Sequence, residues 1–261
     1  MAKSQTKLAP KLTMAEKLTS SSLFWASVIL FVAFPFINNF FIQTVMLNIS
    51  GNIAYKDLAP VLSTVAGLLS VLVAYAGIGT VAAAIANFGA KRSVGTVILA
   101  LFSHVAGLIA YIMSYAISGA RNYGYAIFSL SVDALANMLI YAAIIIMIAA
   151  MKKKNVKKGN CDSPELSDKL ISKGGAYSYI VAATTVYGAA QILSTLFTMV
   201  SDFLDPSIGV PINLQEWVYW ITKYLTTFIY LGIGYLIVLG IFYLAKHLKK
   251  QFEETERTEK A

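Results

Sequence analysis

Six apolar stretches, each long enough to cross a bilayer, leave this chain few ways to fold. A hydrocarbon core about 30 Å thick takes roughly 20 predominantly apolar residues at about 1.5 Å of rise each. Stretches of that kind run over 23–47, 60–86, 93–117, 125–151, 176–201 and 217–245. Every backbone N–H and C=O inside lipid must be bonded within its own segment, so these are expected to be helices. No strand-type alternation suggests a barrel. The expected fold is therefore all-α: a polytopic integral membrane protein whose bundle of six transmembrane helices fills 23–245. A polar segment, 1–22, precedes it and a polar tail, 246–261, follows it. Charged residues make up 13% of the chain, against about 25% in ordinary soluble domains, which excludes a water-soluble globular enzyme. The first apolar run is longer than the roughly 7–15-residue core of a signal peptide and is expected to stay as a span.

Basic residues set the orientation. Of 21 Lys and Arg, eighteen fall before the first span, between the second and third, between the fourth and fifth, or after the sixth. Lys91, Arg92, Lys152, Lys153, Lys154, Lys246 and Lys249 are among them. Only Lys56 and Arg121 lie in the alternate loops, and Lys223 is inside a span. Both termini are expected to be cytoplasmic, in the cell membrane of a bacterial host. Lipid is the first expected partner, and the basic loop 152–173 is a candidate docking site for a membrane or ATPase subunit. No nucleic-acid partner is expected. In that loop Ser163-Pro164 reads as a helix start, and Cys161 as a free thiol. Thr13-x-x-Glu16 and Asn213-x-x-Glu216 read as capping boxes. Trp217 and Trp220 follow the second of these, as an interfacial aromatic belt would.

Ionisable side chains at membrane depth are costly and are candidate functional groups. Three occur: His104, Asp133 and Lys223, accompanied by Asn38, Asn39, Gln43, Asn137 and Gln191. Counting from the cytoplasmic helix ends puts Asn38, Asn137 and Gln191 at roughly 22 Å, Asp133 at roughly 27 Å, Lys223 at roughly 33 Å and His104 at roughly 16 Å. Most of this set falls in the outer half of the bilayer, as a ligand-binding cavity opening outward between helices would require. Asp133 and Lys223 are close enough in height to pair. Pro35 is expected to kink the first span beside Asn38 and Asn39. Small residues in Tyr75-Ala76-Gly77-Ile78-Gly79 and Tyr230-Leu231-Gly232-Ile233-Gly234 mark close helix contacts.

The absences are also informative. There is no P-loop, no H-E-x-x-H, no G-x-S-x-G and no Cys-x-x-Cys. One cysteine and two histidines supply neither an internal disulfide nor a His-rich metal site. Gly89-x-Lys91-Arg92 is similar to a loop of major facilitator transporters, but Ala86 stands where that loop has an acid, and no family follows. No catalytic residue, metal or cofactor is expected. The function expected is a small membrane transport component, a permease or substrate-binding subunit without its own ATPase. The alternative is a non-catalytic accessory, assembly or immunity-type protein that binds another integral membrane protein.

Overall fold

In a computed structural model, the structure describes residues 25, 28–37, 58–89, 93–118, 124–157, 175–204 and 213–259. All the regular structure among them is helical. Helix α1 is a π-helical turn, Ile29–Ala33, that runs directly into Phe34–Ile37. Then come α2 (Leu58–Phe88), α3 (Val94–Ser118), α4 (Gly124–Lys157), α5 (Gly175–Leu204) and α6 (Leu214–Glu259). Five of these, α2 to α6, are long and apolar enough to cross a membrane. No strand occurs among the described residues. The sequence expectation of six spans thus meets five full-length ones. Of the stretch 23–47, residues 28–37 are helical, whereas Asn38, Asn39 and Gln43 lie outside the described residues, as do Cys161 and Ser163-Pro164.

The π-turn has a local cause. Pro35 has no N–H to give to the carbonyl four residues back. The chain answers by widening just ahead of it: the Phe34 N–H bonds to the Ile29 carbonyl, five residues back. Phe31 lies in this wider turn and is 2% exposed.

Helix α2 is the hub. It packs against each of the other five, and Gly77 to Ala86 are buried on every side. A helix apolar all round has no water-facing side to offer, so it belongs in the middle. Helices α1, α3 and α4 gather on one flank, α5 and α6 on the other, and α4 also reaches α5. The outward faces are apolar: Val218, Ile221, Leu225, Ile229 and Leu236 of α6 are all exposed, as lipid contact demands.

Most polar residues inside the spans are silenced by their own helix. The hydroxyls of Thr80, Ser114, Ser131 and Thr184 donate to the carbonyl four residues back, at 2.7–3.0 Å. Turns are equally economical. Gly89 ends α2 with φ 77°, and its N–H closes on the Ile85 carbonyl at 2.8 Å. That left-handed cap suits glycine, which carries no Cβ to strain it. At the start of α6, Asn213 Oδ1 accepts the Glu216 N–H at 2.9 Å, and Asn213 Nδ2 donates to Glu216 Oε1 at 2.8 Å. The N-cap half of the capping box read from sequence is present, while the Glu216 carboxylate reaches the Asn213 side-chain amide instead of its backbone N–H. Beyond it α6 continues unbroken for 46 residues, so the polar tail is helical through Glu259.

Candidate functional site

A cavity of about 240 Å³ lies among α1, α2, α3 and α4. Phe31 and Phe34 reach it from the π-turned first helix, Ser70 and Val73 from α2, Ser103, His104 and Tyr111 from α3, and Asp133, Ala134 and Tyr141 from α4. The helical repeat explains the grouping. His104, Leu108 and Tyr111 recur at the three- and four-residue spacing that stacks side chains on one face, as do Leu130, Asp133 and Ala134. Gly107 and Ala134 keep the opening between those faces from being filled.

Several of its polar groups are already occupied. The Tyr141 hydroxyl donates to the Ala74 carbonyl at 3.1 Å, tying α4 to α2, and Ser103 Oγ donates to the Ala100 carbonyl at 2.6 Å. Two are not. His104 Nε2 is buried without a hydrogen-bond partner, although its ring packs edge-on against Tyr141 with centroids 4.7 Å apart. The Asp133 side chain is exposed, and among the described residues no basic group pairs with it. Asp133 and His104 therefore line one aromatic-walled space, with the carboxylate open to it and the imidazole Nε2 enclosed.

The pairing expected between Asp133 and Lys223 is overturned. Lys223 Nζ donates to Asp202 Oδ2 at 2.8 Å, and the Tyr224 hydroxyl donates to the same oxygen. Height counted along a helix says nothing about which way a side chain faces. Here α2 and α5 stand between α4 and α6. Helix α5 also runs past 201 to Leu204, which brings Asp202 out of the expected loop and onto the helix facing α6. Phe203, Trp217, Trp220 and Tyr224 surround the ion pair with neighbouring ring centroids 5.2–6.2 Å apart. The rings expected as an aromatic belt cluster at this end of the α5–α6 hairpin, beside the ion pair.

Asn137 and Gln191, counted to one height from sequence but not paired there, meet. Gln191 Nε2 donates to Asn137 Oδ1 at 3.0 Å, while Asn137 Nδ2 donates to the Asp133 carbonyl at 2.9 Å. One bond joins α4 to α5 and the other stays within α4, and neither residue lines the cavity. Among the described residues, the single polar layer expected across five spans divides into the His104–Asp133 cavity, the Asn137–Gln191 bridge one turn along α4 from Asp133, and the Asp202–Lys223 pair. Tyr111, Tyr141 and Asp202 were not singled out from sequence. For Tyr111 a signal existed, since it lies on the His104 face two turns on. No family model, curated protein or solved structure matches this chain.

Among the described residues no group of three or more His, Cys, Asp or Glu is placed to hold a metal ion. The arrangement can bind: it offers a carboxylate and aromatic walls in a volume somewhat larger than the engineered cavity of about 150 Å³ that takes up benzene.

Proposed function

We propose that this chain is a non-catalytic membrane transport component, a permease or substrate-binding subunit, that crosses the membrane six times with both termini in the cytoplasm. The cavity among α1–α4, with Asp133 and His104 in its wall, is the observation that carries this reading. Ligand sites in helical membrane proteins are built between helices, where costly polar groups find partners in the cargo. The lopsided Lys and Arg distribution supports the orientation. With no nucleotide-binding motif of its own, the protein draws on a gradient, passive flux or an ATPase docked at 152–173 in the bacterial cell membrane.

A second reading, an accessory protein that holds another integral membrane protein, draws on α6. Gly232 and Gly240 are exposed there with open space beside them, and small residues facing lipid allow a partner helix to come close.

One substitution separates the two. Ala134→Trp places an indole in the cavity without touching α6. Cells making the wild-type protein are expected to differ from empty-vector cells in the level of at least one small solute, and Ala134→Trp is expected to abolish that difference. No solute difference, together with a stoichiometric membrane protein that co-purifies equally with wild type and Ala134→Trp, would establish the accessory reading instead.

A further inference from the structure

The charge in the cavity identifies the class of cargo. Asp133 contributes a carboxylate, and a carboxylate beside hydrocarbon is unfavourable unless a cation accompanies it. Within the chain the obvious candidate was Lys223, but Asp202 and Tyr224 hold it on the far side of α2 and α5. Among the described residues, no Lys or Arg lines the cavity. The missing counter-charge is one a ligand can bring.

The walls select what kind of cation. Phe31, Phe34, Tyr111 and Tyr141 all line the space, and aromatic ring faces attract an ammonium group while also packing against apolar carbon. A bare metal ion would find one carboxylate here and no further acid. Hydrated, it would leave the apolar remainder of the cavity unfilled. His104 lines the same space, but its Nε2 is enclosed by protein atoms, so the polar contact open to a ligand here is the carboxylate. An ammonium carries several N–H donors, enough for both oxygens of that carboxylate. The volume, about 240 Å³, suits an ion of roughly ten to a dozen non-hydrogen atoms, judged against benzene in its cavity of about 150 Å³.

We infer that the cavity among α1–α4 binds a small organic ammonium ion with an aromatic or aliphatic body, its nitrogen held by Asp133 and its body by Phe31, Phe34, Tyr111 and Tyr141. This rests on the proposal that the cavity is the transport site and names the cargo it accepts. A carboxylate-bearing ligand is repelled, and a neutral isostere leaves Asp133 without its counter-ion.

The test uses the full chain in lipid nanodiscs, with binding of three probes of one shape measured against protein-free discs: benzylammonium, benzyl alcohol and benzoate. Benzylammonium is expected to bind saturably, benzyl alcohol roughly ten- to a hundred-fold more weakly, and benzoate not to compete. In Asp133→Asn, which is close to isosteric and changes a side chain with no ion pair to lose, the two bound probes are expected to bind equally. Equal affinity for ammonium and alcohol in the wild type, or an Asp133→Asn variant that keeps the preference, would overturn the cation assignment and leave the cavity as a binding site. Failure of all three probes to bind would overturn the assignment and the cavity reading together.

Discussion

Truncating Tyr75 to alanine is expected to destabilise the bundle by about 3–5 kcal/mol, the range seen when a large buried aromatic is deleted. Tyr75 is 1% exposed. Its ring meets Tyr187 of α5 edge-on at 5.3 Å and Tyr235 of α6 at 5.9 Å, so one side chain of α2 ties three helices together. Gly188 and Gly234 lie directly against it. In a membrane the removed ring was never hidden from water, because lipid is as apolar as the core. The loss is one of close packing: the empty volume leaves its lining without dispersion partners. Tyr75→Phe keeps the ring and is expected to cost less than about 1 kcal/mol by the same reasoning. Unfolding midpoints of the purified full chain, titrated with dodecyl sulfate in mixed micelles, check both values. Tyr219→Ala, which trims a ring that is 73% exposed, should leave the midpoint unchanged.

The Gly-Ile-Gly step of α6 gives the second expectation. A methyl group at Gly234 would sit 2.6 Å from Val71 Cγ1 and 3.4 Å from the Tyr75 ring. Valine in a helix has essentially one rotamer, so Val71 cannot swing aside cheaply. Gly234→Ala is therefore expected to push α6 off α2 and cost about 1–3 kcal/mol, the usual range for overpacking. Gly232, two residues earlier, faces open space. Gly232→Ala is expected to be neutral or slightly stabilising, since alanine favours helix over glycine by about 1 kcal/mol at most. The same titration compares the pair, and equal midpoints would show that α2 and α6 do not pack here.

That contrast shows where sequence is legible and where it stops. The step Gly232-Ile233-Gly234 reads as small-residue packing, yet nothing in the residue types says that one glycine is buried and the other exposed. Apolar length located α2 to α6, because the bilayer imposes it on each segment separately. Arithmetic along the helix axis put Asn137 and Gln191 at one height without pairing them, and their amides meet. It failed for Asp133 and Lys223 because facing is decided by the neighbours each helix packs against, and those are a property of the whole bundle. Lys223 found the acid of its own hairpin, twenty-one residues back. His104 and Asp133 were legible as unusual residues at membrane depth. Their sharing one space follows from the packing of α3 on α4, which residue types alone do not reveal.

The account stands on water reaching a space between helices that are otherwise wrapped in lipid. Single cysteines introduced in a Cys161→Ser background measure this directly, since thiol reagents attack the thiolate and a thiol in hydrocarbon stays protonated. Ala134→Cys would line the cavity, whereas Leu139→Cys would stand on the same helix at a position 63% exposed to the surroundings. In cells, a small water-soluble methanethiosulfonate is expected to label Ala134→Cys roughly ten-fold faster or more than Leu139→Cys. Equal rates at the two positions, or faster labelling at Leu139→Cys, would contradict an aqueous binding cavity inside the bundle.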